Sequence, residues 1–204
     1  MQLINTDYDI IILGAGIIGA AISLALARKN KTVLCIDKFA VSGYGSTSGS
    51  CAIIRPYYST LDGTAIAYES HYYWKNWHDF LAADDESGLI NYNDCGCIVM
   101  KTEQNGYLTN ILAIMDQLGA PYQHLNPAEV IQHLPFVSMN SFAPAKLSDD
   151  PDFGEPNSEP LSGAVLFPTG GYVSDPQLAT HNLQRAAEAR SEEHTSELQS
   201  LTNL

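Results

Sequence analysis

Three glycines, Gly14, Gly16 and Gly19, followed by an acid at Asp37, 18 residues after the last of them, form the spacing in this chain best suited to chemistry. In a G-x-G-x-x-G turn the first glycine permits a sharp reversal and the second lets backbone approach a pyrophosphate. The third lets a helix pack closely on the preceding strand. The helix that follows offers its free N–H groups and positive dipole end to the phosphates. A carboxylate at this distance accepts hydrogen bonds from an adenosine ribose 2′-OH and argues against a 2′-phosphorylated cofactor. The chemistry implied is dinucleotide binding, with Gly14, Gly16, Ile17, Ile18, Gly19, Asp37 and Lys38 as candidate contacts. These residues do not specify the other half of the dinucleotide, so NAD and FAD both remain open on their evidence.

The elements that must position them are legible nearby. Residues 8–13 read as a buried strand, 17–28 as a helix, 29–31 as a polar turn, and 32–36 as a second parallel strand ending in Asp37. The uncharged run from Ile10 to Ala27, 18 residues with Ser23 its only polar side chain, approaches transmembrane length. The residues before it carry Asp7 and Asp9 and no Lys or Arg, and the run holds three patterned glycines, so it reads as strand, turn and helix. With no targeting segment, the expected location is the cytoplasm.

After Asp37 the chain does not proceed to another strand and helix. It supplies the small-residue segment from Gly43 to Ser50, whose Ser46, Thr47 and Ser48 suit an extended phosphate and ribityl chain, then a short apolar strand and Arg55. At this point the sequence resembles the FAD-dependent amine and amino-acid oxidoreductases of the D-amino-acid oxidase superfamily, in their sarcosine oxidase and dimethylglycine dehydrogenase-like branch. The residues that carry the resemblance are Gly14-Ala-Gly16-Ile-Ile-Gly19 with Asp37, and Gly45-Ser-Thr-Ser-Gly-Ser-Cys-Ala-Ile-Ile-Arg55. Further along come Gly96-Cys-Ile-Val-Met100, Leu125-Asn-Pro-Ala-Glu-Val130 and Gly170-Gly-Tyr-Val-Ser-Asp-Pro176.

The resemblance implies that Gly14 and Gly16 hold the FAD pyrophosphate, that Asp37 holds the ribose, and that Ser46 and Thr47 lie along the cofactor. Arg55 matches a family arginine that pairs with the substrate carboxylate, a role suited to a guanidinium that donates two parallel charge-assisted hydrogen bonds. Tyr58 is a second candidate there, and a surface or inter-domain ion pair is the plainer alternative for Arg55. Ser48 stands where some relatives carry a flavin-linked histidine, which argues against attachment at that position. The implied reaction is oxidation of an amine or amino acid by hydride transfer to flavin, with oxygen or another electron acceptor closing the cycle. A residue that activates oxygen would lie beyond position 189, and no catalytic residue is assigned within the chain.

The implied fold class is α/β, with an incomplete Rossmann-type parallel sheet plus part of an antiparallel α+β substrate domain. Residues 1–84 would begin the FAD domain and 85–175 would belong to the substrate domain, with 176–189 a helix returning to the first. Apolar stripes predict one helix within 63–84 and another near 108–118. Strands are expected at 89–92, 97–100, 164–167 and 171–173, the last two around the Gly170-Gly171 turn. Residues 138–163 break all periodicity and carry four prolines among five acids, which predicts a mobile acidic surface loop.

Composition narrows the partners. With 10 Lys+Arg against 23 Asp+Glu, the net charge is −13, and the four arginines are scattered. Nucleic acid and anionic membrane surfaces are therefore disfavoured. The four cysteines lack zinc-site spacing, since Cys95 and Cys97 have one intervening residue. They read as reduced thiols, with a Cys95/Cys97 redox pair as the sharper option. The histidines His71, His78, His124, His133 and His181 show no metal-ligand clustering and read as surface or half-buried side chains. Residues 190–204 begin Arg190-Ser-Glu-Glu-His-Thr, which resembles the in-frame translation of a sequencing-library adapter. The expectation is an N-terminal fragment whose sheet has unpaired edges and which is inactive by itself. Two other functions share the nucleotide motif: a flavin dehydrogenase of a hydroxy acid or polyol phosphate, and a non-catalytic nucleotide-binding module.

Overall fold

The computed structural model describes residues 7–157, 159–191 and 197–200 of the 204-residue chain. These fall into two compact units, one formed by residues 1–54, 70–94 and 171–204 and the other by residues 55–69 and 95–170. Compactness thus groups 55–69 with the second unit and 70–94 with the first.

The first unit is built on β1 (Ile10–Leu13), α1 (Ile17–Ala27) and β2 (Val33–Asp37). The strands pair in parallel from Ile10↔Val33 to Leu13↔Ile36, as the βαβ reading requires. Helix α6 (Pro176–Ser191) packs on α1. Ala20 and Leu24 of α1 are buried in one cluster with Leu183, Ala186 and Ala187 of α6, small side chains that let the helices approach closely. Asp175 starts α6: its Oδ1 accepts the N–H groups of Gln177 (2.8 Å) and Leu178 (3.0 Å), and Pro176 fills the first helical position, where no N–H is needed.

Strand β9 (Glu197–Ser200) runs parallel along the other edge of β2, from Leu34↔Glu197 to Asp37↔Ser200, giving the order β1-β2-β9. The expectation of unpaired edges is therefore corrected for β2, whose outward N–H and C=O groups meet a strand. Of the adapter-like residues, 192–196 and 201–204 lie outside the described residues. One face of β1 is open, with Ile11 59% and Leu13 82% exposed.

A second sheet in this unit has the order β3-β8-β4, with β3 (Ile53–Ile54) and β4 (Tyr92–Asn93) both antiparallel to β8 (Gly171–Val173). Gly171 is required in it, because a Cβ there would lie 1.9 Å from the Asn93 carbonyl oxygen. The helix expected within 63–84 is two helices, α2 (Leu61–Lys75) and α3 (Trp77–Leu81). They break at Asn76 (φ −110°, ψ 46°), whose side-chain amide donates to the Tyr72 carbonyl at 2.9 Å beside its own backbone N–H at 3.1 Å.

The second unit holds a separate antiparallel sheet of order β5-β7-β6, from β5 (Cys97–Met100), β6 (Gln123–Leu125) and β7 (Ala164–Phe167). The strands on either side of Gly170-Gly171 thus belong to different sheets, with Gly170 at φ 130° between them. Helix α4 (Leu108–Leu118) buries Leu108, Ile111 and Met115 in one cluster with Val165 and Phe167. Helix α5 (Pro127–His133) was not foreseen as an element, although Asn126 and Glu129 form a full capping box at its start. The described residues of the segment 138–163 contain no helix or strand and are largely exposed, but hydrogen bonds from Leu161 N to Met139 O and from Asn157 N to Ser141 O, each 2.7 Å, tie the two ends.

Candidate functional site

The glycine turn is shaped as the sequence requires. Gly14 has φ 109°, a value side chains resist, and an added Cβ at Gly19 would lie 1.9 Å from the Gly14 carbonyl oxygen, so the helix can begin this close to β1 only with glycine at both positions. Helix α1 starts at Gly16, which offers no side chain to cap it. The N–H groups of Ile18 and Gly19 lie in the first turn, where no intrahelical carbonyl reaches them. Ile18 itself is 73% exposed.

Asp37 ends β2 and locks the turn from below. Its Oδ2 accepts the Ala15 N–H at 2.6 Å and its Oδ1 accepts the Phe39 N–H at 2.9 Å. The Phe39 N–H holds its carboxyl below the usual range; burial opposes this, and the Ala15 N–H adds to it. Ala15, fully buried, also accepts the Gly43 N–H at 2.8 Å, which ties the small-residue segment to the glycine turn. Sequence reasoning missed Ala15, because a position between two glycines in a G-x-G motif carries no side-chain signal.

Thr47 Oγ1 accepts the Ile17 N–H at 3.2 Å and stands 3.1 Å from where a Cβ would be on Gly16. Thr47 is thereby brought to the α1 N-terminus, and the serine before it, Ser46, is exposed. Ser48 Oγ donates to the Gly45 carbonyl at 2.9 Å and braces the turn. Lys38 is exposed, its Nζ 4.9 Å from the centre of the Phe39 ring. Beside Thr47 a cavity of about 150 Å³ runs along Ile17, Ile54, Trp74 and Val173, apolar on most of its lining. Trp74 was read in the sequence as neither stripe nor site residue, since its place in the cavity depends on a strand distant along the chain. Ala52, at φ 53°, precedes β3 and is held by the Val173 N–H on its carbonyl (3.0 Å) and by its own N–H on Ser50 Oγ (3.0 Å).

Arg55 and Tyr58 belong to the second unit. The Arg55 guanidinium is exposed and lies 4.4 Å from the Tyr58 ring centre and 5.8 Å from that of Tyr57. Among the described residues no carboxylate forms an ion pair with it. Tyr57 is buried against Phe167, ring centres 4.4 Å apart. Burial, reinforced by Cys97, pushes the Tyr57 phenol up to about 12. Among the described residues no group of three or more His, Cys, Asp or Glu side chains can hold a metal, and no helix is long and apolar enough to cross a membrane.

The FAD-dependent oxidoreductase (DAO) family model matches residues 9–195. This chain belongs to that family. Its members are FAD-dependent, and the bare N–H groups at the start of α1, the glycine positions a side chain would fill and the hydroxyl of Thr47 fit a phosphate-bearing cofactor of that kind. The chain is 27% identical over 135 residues to peroxisomal sarcosine oxidase of Mus musculus, covering 65% of this chain and 33% of that enzyme. It is 26% identical over 135 residues to N-methyl-L-tryptophan oxidase of Yersinia pestis (strain Pestoides F), covering 65% of the chain and 35% of the enzyme. Glycine oxidase from Geobacillus kaustophilus matches with a TM-score of 0.65 and 25% identity, over 90% of this chain and 45% of that structure. The chain thus spans about a third of the length of these curated relatives.

Proposed function

We propose that this chain is the nucleotide-binding portion of a flavoprotein that oxidises a secondary or tertiary amine of amino-acid type, such as a sarcosine-like or dimethylglycine-like substrate. The observation that carries this reading is the glycine turn clamped to Asp37 through Ala15, with Thr47 at the helix it opens. The turn formed by Gly14 and Gly16, with Ile17 capped by Thr47, presents the N–H groups of Ile18 and Gly19 to the pyrophosphate, and Asp37, with Lys38 beside it, holds the ribose. Ser46 and Thr47 line the path of the remaining chain of the cofactor. Bound FAD supplies a two-electron acceptor.

Arg55, without a carboxylate partner among the described residues and resting on Tyr58, orients the substrate carboxylate in this proposal. The amine end is then turned toward the oxidant, and oxygen or another electron acceptor completes turnover. Residues 1–54 and 70–94, with the helix at 176–189, serve the cofactor in this proposal, and residues 55–69 and 95–170 the substrate. All four cysteines are free, which fits the cytoplasmic location proposed here. Whether the adapter-like residues 190–204 are an artefact is tested by sequencing the source DNA from a fresh template, which should then not return those codons. Return of the same codons would remove that reading.

Two measurements test the functional proposal. The chain should bind ADP, and Asp37→Ala should weaken that binding by roughly tenfold or more, since it removes a charged acceptor that also shapes the turn. In the complete protein, anaerobic addition of sarcosine or dimethylglycine should bleach the flavin absorbance, and Arg55→Ala should raise the substrate concentration required at least tenfold. Bleaching by hydroxy acids or polyol phosphates but not by amines would replace the amine reading with the dehydrogenase one. ADP binding without flavin reduction by any of these substrates would leave a nucleotide-binding module.

A further inference from the structure

The tripeptide Cys95-Gly96-Cys97 takes no part in the functional reading above. Its bend is imposed from outside. Gly96, at φ 75°, donates its N–H to the Gly170 carbonyl at 3.0 Å, and a side chain there would place Cβ 2.9 Å from the Phe167 carbonyl oxygen. Only glycine fits between the two cysteines, whose backbone enters β5 through this left-handed residue. Cys95 is exposed to solvent, whereas Cys97 is half-buried; both are free thiols.

We infer that Cys95 and Cys97 are a dithiol modification site that a diffusible peroxide converts reversibly into an intrachain disulfide. The exposed thiol is the one a peroxide reaches. The Cys95 sulfur attacks one peroxide oxygen and the O–O bond breaks. The departing oxygen leaves as water and Cys95 becomes a sulfenic acid. The Cys97 sulfur then attacks the Cys95 sulfur; the S–S bond forms, the S–O bond breaks, and a second water leaves with the Cys97 proton. Two thiols and one peroxide give one disulfide and two waters, with two electrons passing from sulfur to oxygen.

The division of labour follows from the surroundings. Burial pushes the Cys97 thiol up; Tyr57 opposes this, Cys95 adds to it by a smaller amount, and Arg55 lowers it least. Cys97 is therefore a poor first attacker and acts when a sulfenic acid forms beside it. A disulfide closed over a single residue departs from relaxed disulfide geometry, which makes it readily reduced and keeps the site reversible. A metal-binding role lacks the ligands, since among the described residues no third metal-binding side chain joins the pair.

The test uses the full chain treated with hydrogen peroxide, then unfolded, alkylated with N-ethylmaleimide, digested and weighed. The peptide carrying both Cys95 and Cys97 should lose two hydrogens and escape alkylation at both positions, with full recovery after dithiothreitol. In Cys95→Ser, Cys97 should remain alkylatable after the same treatment. Alkylation of both thiols in the oxidised wild-type chain would overturn the proposal. So would a Cys95 sulfinic acid beside an alkylated Cys97, or a disulfide to Cys51 or to a second chain. Equal loss of Cys97 in the Cys95→Ser variant would do the same. The wild-type mapping needs no variant to fold.

Discussion

Asp85 gathers three partners: its carboxylate accepts Asn182 Nδ2 at 2.7 Å, pairs with His181 Nδ1 at 2.8 Å, and takes the Ser87 N–H at 2.9 Å. Asn182 extends the network with its carbonyl oxygen, which accepts Trp77 Nε1 and the Ile90 N–H, each at 3.2 Å. Burial pushes the Asp85 carboxyl up, but the combined hydrogen bonds from Ser87, Asn182 and His181 outweigh it, and the group sits below its ordinary value of 3.8. His71 is also depressed, below 6.5, chiefly by burial, with its Nδ1 at 2.9 Å from the Tyr92 hydroxyl.

The sign of the pH effect is the same for both groups. Each binds its proton less readily folded than unfolded, so each contributes stability at higher pH that is lost as pH falls from the unfolded value to the folded one. Urea titrations should therefore show stability declining first below about pH 6.5, from His71, and again below about pH 4, from Asp85. Asp85→Ala should cost about 1–3 kcal/mol near neutrality, because it removes an acceptor from the buried Asn182 amide, which keeps only the Gly88 carbonyl, and from the half-buried His181, and should flatten the more acidic step. A variant with unchanged neutral stability would show that this network is dispensable.

At the scale of elements, β1, α1 and β2 depend on how closely the helix start approaches the strand end. Gly19→Ala should open the turn, because its Cβ has only 1.9 Å to the Gly14 carbonyl and backbone must move. The expected loss is about 1–3 kcal/mol in thermal or chemical unfolding, with weaker ADP binding in the same variant. Gly49→Ala is the matched control: a Cβ there would meet nothing nearer than 3.8 Å and its φ is not positive, so it should fold and bind ADP as the parent does. Equal tolerance of both substitutions would mean that the third glycine has no packing role here.

For the molecule as a whole, the open face of β1 is the feature with the largest consequence. Parallel sheets are normally covered on both faces, and here Ile11 and Leu13 present 59% and 82% of their surface to solvent. Exposed apolar patches of this kind drive association. The isolated chain should bind an apolar-surface dye and self-associate in sedimentation, and Leu13→Lys should reduce both. A monodisperse isolated chain that ignores the dye would count against an uncovered sheet.

The sequence by itself determined the strand–turn–helix–strand start, the acid at Asp37, the amphipathic helices and the family. Each is local: glycine spacing, 3.6-residue periodicity and a carboxylate at a fixed distance are all set by neighbours along the chain. Tertiary structure decided what depends on partners far apart in sequence. Ala15 became the link between Asp37 and the Gly43 segment through main-chain atoms that carry no residue code. The strands flanking Gly170-Gly171 went to different sheets, because pairing is chosen by distant strands. Helix α5 was legible in Asn126 and Glu129 but too short for a periodic signal, and the break at Asn76 is a local departure from helical backbone angles that side-chain periodicity does not register. Trp74 reached the cavity beside Thr47, and Arg55 its place on Tyr58, through packing that local pattern does not encode.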